Sequence, residues 1–314
     1  MNRRGGLEFR VGLEGWMRLE VYNAATGIKT KDTGWFKNLI TDQGLDAIAQ
    51  QTDVMTHFHV GTSNTAPTIS DTWLNAFVAT TTTSRSDING CTGSSPYYGY
   101  RRKTQRFDEG DATGNIQECA VGWSASTGTA FSHALIQDPG GSPKSITVLS
   151  NEYLDFTYEL RYYPPTSDAT GTCVIDGNSY NYQTRALNVT STTFWSQYIG
   201  KKFEQLVLTE SYHRAYTGAL GAITATQPAG TDATGTTDVT NVTYIPGDYF
   251  MDFTVRATTQ QWNVAGGYIR SLVLACKGNR WQTEFDKVAD GTGIPKSVSN
   301  GLNIHWRVSW TRTP

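Results

Sequence analysis

Alternation with a period of two constrains this chain more than any other feature. In residues 153–163, Leu154, Phe156, Tyr158 and Leu160 fall on one side, and Asp155, Thr157, Glu159 and Arg161 on the other. Successive side chains of a strand point to opposite faces, so the pattern predicts a half-buried strand and not a helix. Residues 7–23 alternate in the same way around Trp16, Leu19 and Val21 and are expected to form a strand or hairpin. Residues 97–107, 116–123 and 294–310 add further β-type runs, separated by clusters of Gly, Pro, Asn and Asp. Long helical windows are few. The expected fold is mainly β and sandwich-like.

One helix interrupts this pattern. TGWFKN (33–38) reads as an aromatic strand, after which Thr41 is a good N-cap and Asp42 complements the first-turn dipole. Leu45, Ile48 and Ala49 then fall on one side of a short helix near 41–50. A helix so short is stable only when packed on a sheet. His57-Phe58-His59-Val60 follows as a strand. Its two histidines share one face, a geometry that metals use, but no carboxylate or thiol pattern completes a ligand set. The acidic turn at Asp108, Glu109 and Asp111 lacks the rest of a calcium loop. No metal and no other cofactor is expected.

A chain of 314 residues exceeds one ordinary domain, and Pro164-Pro165 makes the best boundary. The segments on either side echo one another. Pro143-Lys144-Ser145 before the 152–162 run resembles Pro295-Lys296-Ser297 before the last run, Ile116 maps near Ile269, and Tyr97 near Tyr249. Trp195 would match Trp35, and KFEQLVLTE (202–210) would match HFHVG. Two tandem, duplicated β-sandwich modules are therefore expected, 1–165 and 166–314, each with a short helix. Two polar stretches, 79–96 and the Thr/Gly-rich 219–243, read as loops with little to bury. Within them Thr80, Arg85, Asn89, Gln227, Asp232 and Asn241 are candidate assembly contacts, and the first nine residues are a candidate arm.

Charged residues are only 17% of the chain, against a usual quarter or so, and the net charge is −2. That balance gives no global reason to bind nucleic acid or an anionic membrane. The four cysteines, Cys91, Cys119, Cys173 and Cys276, have no CxxC spacing and read as free thiols, with Cys119 and Cys276 in core runs. The start has no apolar stretch of signal-peptide length, so the expected place of synthesis is a cytoplasm. No nucleophile, phosphate-binding or zinc-protease signature is present. Nine tryptophans raise the prospect of sugar stacking. Most lie in alternating runs and are expected in the core, whereas Trp73 and Trp281, in polar surroundings, are the candidates for glycan contact.

WFKNLITDQGLDAIA followed by HVGTSNTAPTISDTWL resembles tailed-bacteriophage virion proteins of the tail fibre, collar or baseplate-associated kind. Asn38, Leu39, Ile40, Thr41, Gly44 and Leu45 carry the first part of the pattern. Val60, Gly61, Thr62, Asn64, Ala66 and Pro67 carry the second, with Ser63 where Gly is usual. The run from Ala120 to Pro164 matches the downstream part, so the resemblance spans about residues 30–165. It implies a non-enzymatic virion component, made in the host cytoplasm, that forms a symmetric homo-oligomer and docks other virion structural proteins. A receptor-binding module for host surface glycan is the alternative, and a head decoration protein a further one.

Overall fold

The alternation of residues 7–23 folds as one strand and not a hairpin. Strand β1, Leu7–Asn23, runs 17 residues with Leu7, Phe9, Val11, Leu13, Met17, Leu19 and Val21 buried. The structure, a computed structural model, describes residues 7–203, 213–233, 235, 237–264, 266–276 and 279–313. In chain order β1 is followed by β2 (Lys29–Asp32), β3 (Phe36–Lys37), β4 (Leu39–Ile40), α1 (Asp42–Gln50), β5 (His57–Gly61), β6 (Phe77–Thr81) and β7 (Ser84–Cys91). Then come β8 (Gly99–Phe107), β9 (Gly114–Ile116), β10 (Glu118–Gly122), β11 (Ala130–Leu135), β12 (Ile146–Val148) and β13 (Glu152–Tyr163). The second half contributes β14 (Ala169–Ile175), β15 (Asn178–Ala186), α2 (Thr192–Trp195), β16 (Arg214–Tyr216), β17 (Asp232–Ala233) and β18 (Asp238–Tyr244). It ends with β19 (Phe250–Ala257), β20 (Tyr268–Ile269), β21 (Ser271–Cys276), β22 (Asn279–Lys287), β23 (Ile294–Pro295) and β24 (Leu302–Arg312). The protein is mainly β, and no described helix is long and apolar enough to cross a membrane.

One nine-stranded sheet backs two smaller ones. Its order is β18-β19-β24-β1-β13-β8-β7, with β2 and β3 added to β1. The start of β1 pairs in parallel with β24, from Leu7 opposite Trp306 to Leu13 opposite Arg312. The rest of β1 pairs antiparallel with β13. The chain does leave a strand at Pro164-Pro165, yet the large sheet runs through both halves, and Leu7 and Phe9 belong to it and not to an arm. On its inner face lie a five-stranded sheet, β4-β11-β10-β5-β6, and a six-stranded sheet, β14-β15-β22-β21-β16-β17. Phe58 meets Phe156 edge-on at 4.9 Å over the first, and Phe9 stacks on Trp281 at 4.8 Å over the second. One continuous apolar cluster fills both interfaces.

The pairings of the second half follow those of the first in the same chain order. The row β6-β5-β10-β11-β4 is answered by β17-β16-β21-β22-β15, and β7-β8-β13 by β18-β19-β24. The short ladder of β9 with β12 sets Ile116 opposite Ile146, and that of β20 with β23 sets Ile269 opposite Ile294. What recurs is the pairing plan and not the whole module, since β1 serves both halves and β14 is an extra edge. Pro295 lies in β23 whereas Pro143 precedes β12, so the expected match of these two prolines slips. Trp35 and Trp195 are not equivalent either. Trp35 is half-exposed on the outer sheet face, and Trp195 is fully buried with its indole N–H on the Leu187 carbonyl at 3.0 Å. Most of the KFEQLVLTE segment lies outside the described residues.

Helix α1 begins as expected: Thr41 Oγ1 accepts from the Gly44 amide at 3.0 Å. Gly44 is needed for close approach, because a Cβ there would sit 2.1 Å from the Phe131 carbonyl oxygen of β11. The helix also ties the two halves together. Trp310 of β24 donates its indole N–H to the Leu45 carbonyl at 2.8 Å, and Tyr244 of β18 donates its hydroxyl to Asp46. A second tie is the nearly buried Arg101, which chelates Asp53 at 2.9 and 3.0 Å and Asp87 at 2.9 and 2.7 Å. Lys201, from the second half, caps the same Asp53.

Two expectations about polar stretches are corrected. Residues 79–96 are not a free loop: most of them form the end of β6 and the edge strand β7. Residues 219–243 likewise include β17 and most of β18. A strand's ladder is made by main chain, so Thr- and Ser-rich segments join a sheet without burying their side chains. The polar face of β13 is also not solvated as alternation suggests. Asp155, Thr157 and Glu159 are buried beneath Arg106, Thr104 and Arg102 of β8, bonded at 2.7, 2.8 and 2.7 Å.

Candidate functional site

Each of the smaller sheets carries a loop across its outer face. In the first half this is residues 62–76, between β5 and β6. Trp73 and Leu74 of the loop pack on Ala120 of β10 and Ala130 of β11. In the second half it is residues 217–230, between β16 and β17, where Ala225 packs near Leu187, Tyr216 and Val273. A loop laid flat on a sheet has no ladder to satisfy its amides, and buried amides must find other acceptors.

Glu118, fully buried at the start of β10, supplies them in the first half. Its carboxylate accepts from the amides of Ser63 (3.3 Å), Asn75 (3.0 Å) and Ala76 (2.6 Å). It also bonds His133 Nε2 at 3.0 Å, and His133 Nδ1 reaches Asp71 of the same loop at 2.8 Å. Burial alone would push the His133 imidazole down, but the two carboxylates outweigh it and hold its pKa above the ordinary value. Burial alone would raise Glu118; His133 and the backbone amides overcome this and hold it below the usual carboxylate range. Asp71 is lowered likewise, against burial, by Thr68 and His133. The Asp–His–Glu row has the members of a catalytic relay without its arrangement. Both imidazole nitrogens face carboxylates, so the ring has no lone pair left to activate a nucleophile. What the row does is pin the loop.

The second half pins its loop chiefly with neutral groups, charged ones standing at longer distances: Arg185 donates to the Gly221 carbonyl at 3.2 Å. Gln282 of β22 exchanges two bonds with Gly221, accepting from its amide at 2.8 Å and donating to its carbonyl at 2.9 Å. Ser271 of β21 donates to the Gly218 carbonyl at 2.8 Å, and Glu284 accepts from the Leu220 amide at 3.2 Å. In the shared pairing plan, Ser271 stands where Glu118 stands and Gln282 where His133 does.

A second surface is the outer face of the large sheet. Arg102 lies over Trp35 at 5.1 Å and Tyr100 at 5.5 Å, and Arg161 over Trp16 at 4.9 Å and Tyr98 at 4.7 Å. Arg106 lies over Tyr153 at 3.8 Å, and Tyr153 stacks on Tyr22 at 5.1 Å. These aromatic residues are half-exposed. Water tolerates one face of an antiparallel sheet, but rows of Trp, Tyr and Arg held by charged neighbours are the residue types that anchor protein interfaces.

Of the two tryptophans expected to meet glycan, Trp281 is corrected. It is fully buried between Phe9 and Trp195, 4.8 and 5.3 Å away, because β22 is an inner strand covered on both faces. Its polar neighbours Arg280 and Gln282 are buried as well, so local polarity misleads. Trp73 is half-exposed, 4.5 Å from the His59 ring and 5.7 Å from Phe77, which is 46% exposed. The Trp73 and Trp281 positions are therefore not one surface. Of the candidate assembly residues, Thr80 lies in β6 opposite His59, Arg85 at an irregularity of β7, and Asn89 in β7 opposite Arg101. Gln227 is exposed on the second loop, and Asp232 of β17 pairs with Arg214. Asn241, with φ of 54°, lines a shallow groove of about 610 Å³ together with Arg256, Asn303 and His305. The pinning residues Glu118, His133 and Gln282 were missed by sequence reasoning. An isolated Glu and His inside the apolar runs 116–123 and 130–136 were the available signal. His57 and His59 stack 6.3 Å apart, and burial pushes His59 down to about 3. Among the described residues no cluster of His, Cys, Asp and Glu is arranged to hold a metal. Cys119 is buried against Met17, Cys91 and Cys173 are half-buried, and the Cys276 side chain lies outside those described. Compared with family models, curated proteins and solved structures, the chain matches none.

Proposed function

We propose that this chain is a non-enzymatic structural component of a tailed-phage particle, in the tail, collar or baseplate. It assembles as a symmetric oligomer and docks neighbouring virion proteins. The observation that carries the reading is the outer face of the large sheet. There Trp16, Trp35, Tyr98, Tyr100 and Tyr153 are each held by an arginine that is itself paired or stacked. Side chains ordered in advance lose little entropy on docking, which suits a permanent building block. The buried ionisable groups support the same reading, since Glu118, His133 and Asp53 are all engaged in holding loops and strands. Mass spectrometry of gradient-purified phage particles tests the proposal. The protein is expected at stoichiometric level, and its absence would sink the idea. The variant W16A/W35A, which trims two half-exposed rings and leaves Arg102 and Arg161 on the buried Glu159, is expected to fold and yet enter particles at least tenfold less.

A second reading, glycan recognition on a host surface, keeps one specific observation in its favour, the half-exposed Trp73 beside Phe77. Binding of the protein to host cells, lost in Trp73→Ala while the fold persists, separates it from docking alone.

A further inference from the structure

Residues 169–186 form a hairpin closed by Asp176-Gly177, both at positive φ (49° and 74°) as a two-residue type I′ loop requires. Its outer strand, β14 (ATGTCVI), pairs with β15 in unbroken register from Ala169 opposite Thr184 to Ile175 opposite Asn178. Among the described residues no strand pairs with the other edge of β14. Such an edge is a template for another strand, and proteins ordinarily blunt it with charge, proline, bulges or shortness. The other edges here are blunted. Strand β7 carries Arg85 at an irregularity and Asp87, and β18 breaks register between Thr240 and Thr243 around the left-handed Asn241. Strands β4 and β17 are two residues long, and β6 is short and irregular. Strand β14 has seven residues, no charge, no proline and no bulge, and its Val174 is 69% exposed.

We propose that β14 pairs antiparallel with β14 of a second copy of this chain, about a two-fold axis through Thr172. The free groups fit this register. Ile175 and Asn178 close the hairpin and bond to each other, and bonded and non-bonded positions then alternate along the strand. Ala169, Gly171 and Cys173 therefore point their amides and carbonyls at β15, leaving those of Thr170, Thr172 and Val174 facing outward. A two-fold axis at Thr172 sets Thr172 opposite its own copy and Thr170 opposite Val174, so every outward group meets its complement. The pairing would join two six-stranded sheets into one. An uncharged strand repels neither itself nor its copy, whereas β7 or β18 would bring like charges together. This inference rests on the oligomer reading above and names its surface.

Disulfide trapping of the full chain tests it. In an antiparallel bonded pair, Cα atoms stand about 5.5 Å apart, within disulfide reach. Thr172→Cys is expected to give mainly covalent dimer on mild oxidation, beyond the wild-type background from native thiols. Thr170→Cys alone puts its thiols about 13 Å apart, four residue rises along the strand, and should stay at background. Thr170→Cys mixed with Val174→Cys should cross-link across chains. Thr172→Pro removes an outward amide that β15 does not use, so the hairpin is retained and the dimer fraction in sedimentation should fall at least tenfold. Background-level cross-linking of Thr172→Cys, or a dimer unmoved by Thr172→Pro with an unchanged circular dichroism spectrum, overturns the proposal. Trapping together with absence from particles would overturn the virion reading alone, and presence in particles without trapping would overturn only this pairing.

Discussion

The two halves solve one problem with different chemistry. Each lays a loop over a small sheet and must satisfy amides that no strand can reach. The first half does so with Glu118, a buried carboxylate that takes three amides and is balanced by His133. The second does so with the neutral Gln282 at 2.8 Å and with Glu284 at a longer 3.2 Å, while Ser271 holds a loop carbonyl. Charge-assisted bonds are roughly twice as strong as neutral ones, but a buried charge stripped of its partner is costly. The first loop is thus held more firmly and fails more abruptly. The difference teaches that a shared pairing plan fixes where a loop must be held, while the residues at those places decide how strongly and over what pH range.

The largest expected effect breaks the stronger pin. Glu118→Ala leaves three loop amides without an acceptor and His133 with one carboxylate. Removing one member of a buried charged pair costs about 3–5 kcal/mol. Urea unfolding should show that loss, and limited proteolysis should cut first within 62–76. Gln282→Ala is the matched test of the neutral pin. It orphans the Gly221 amide and leaves the carbonyl to Arg185 alone, at a cost of about 1–3 kcal/mol, the range for unsatisfied buried polar groups. Proteolysis should then move to 217–230. Equal losses in the two variants would show that charge is not what separates the halves.

The β character was legible because β1, β13 and β24 alternate over long stretches, and the helix because the Thr41 cap, Asp42 and the spacing of Leu45, Ile48 and Ala49 are local signals that sequence displays. The pins were not legible. Glu118 and His133 are 15 residues apart, and their meeting depends on β10 and β11 pairing in one register. The joining of the halves was hidden for the same reason, since the parallel pairing of Leu7–Leu13 with Trp306–Arg312 links the two ends of the chain. Trp281 misled because burial in an inner strand comes from neighbouring layers, which adjacent residues do not record. The hairpin at 169–186 is a different case. Its Asp176-Gly177 pair between β-type residues is a local turn signal that was there to be used.

The smallest expected effect, and the one that most sharpens the comparison, is a pH dependence confined to the first half. His133 has a folded pKa raised above its unfolded value near 6.5. A raised histidine contributes stability that is complete below the unfolded pKa and is lost as pH rises through the folded one. Glu118 and Asp71 are lowered from 4.5 and 3.8, so their contributions are present above those values and are lost as pH falls through the folded ones. The pin is therefore fully formed between about pH 5 and 6.5 and weakens above. His57, lowered by burial, and His59 and His213, which burial pushes down to about 3 and about 4, act in the opposite sense, an effect that fades above the unfolded value. The buried Cys119, Tyr158, Tyr162 and Tyr180, each raised by burial, intervene only as their unfolded counterparts ionise, from about pH 8 upward. The span from about pH 7 to 8 is thus the one in which His133 dominates. Urea midpoints should fall across it in the wild-type protein and stay flat in His133→Gln, whatever the absolute stability of that variant. Gln282→Ala should keep the wild-type slope, because the second pin has nothing to titrate there. A slope that survives in His133→Gln would place the titrating group elsewhere and remove the distinction between the two halves.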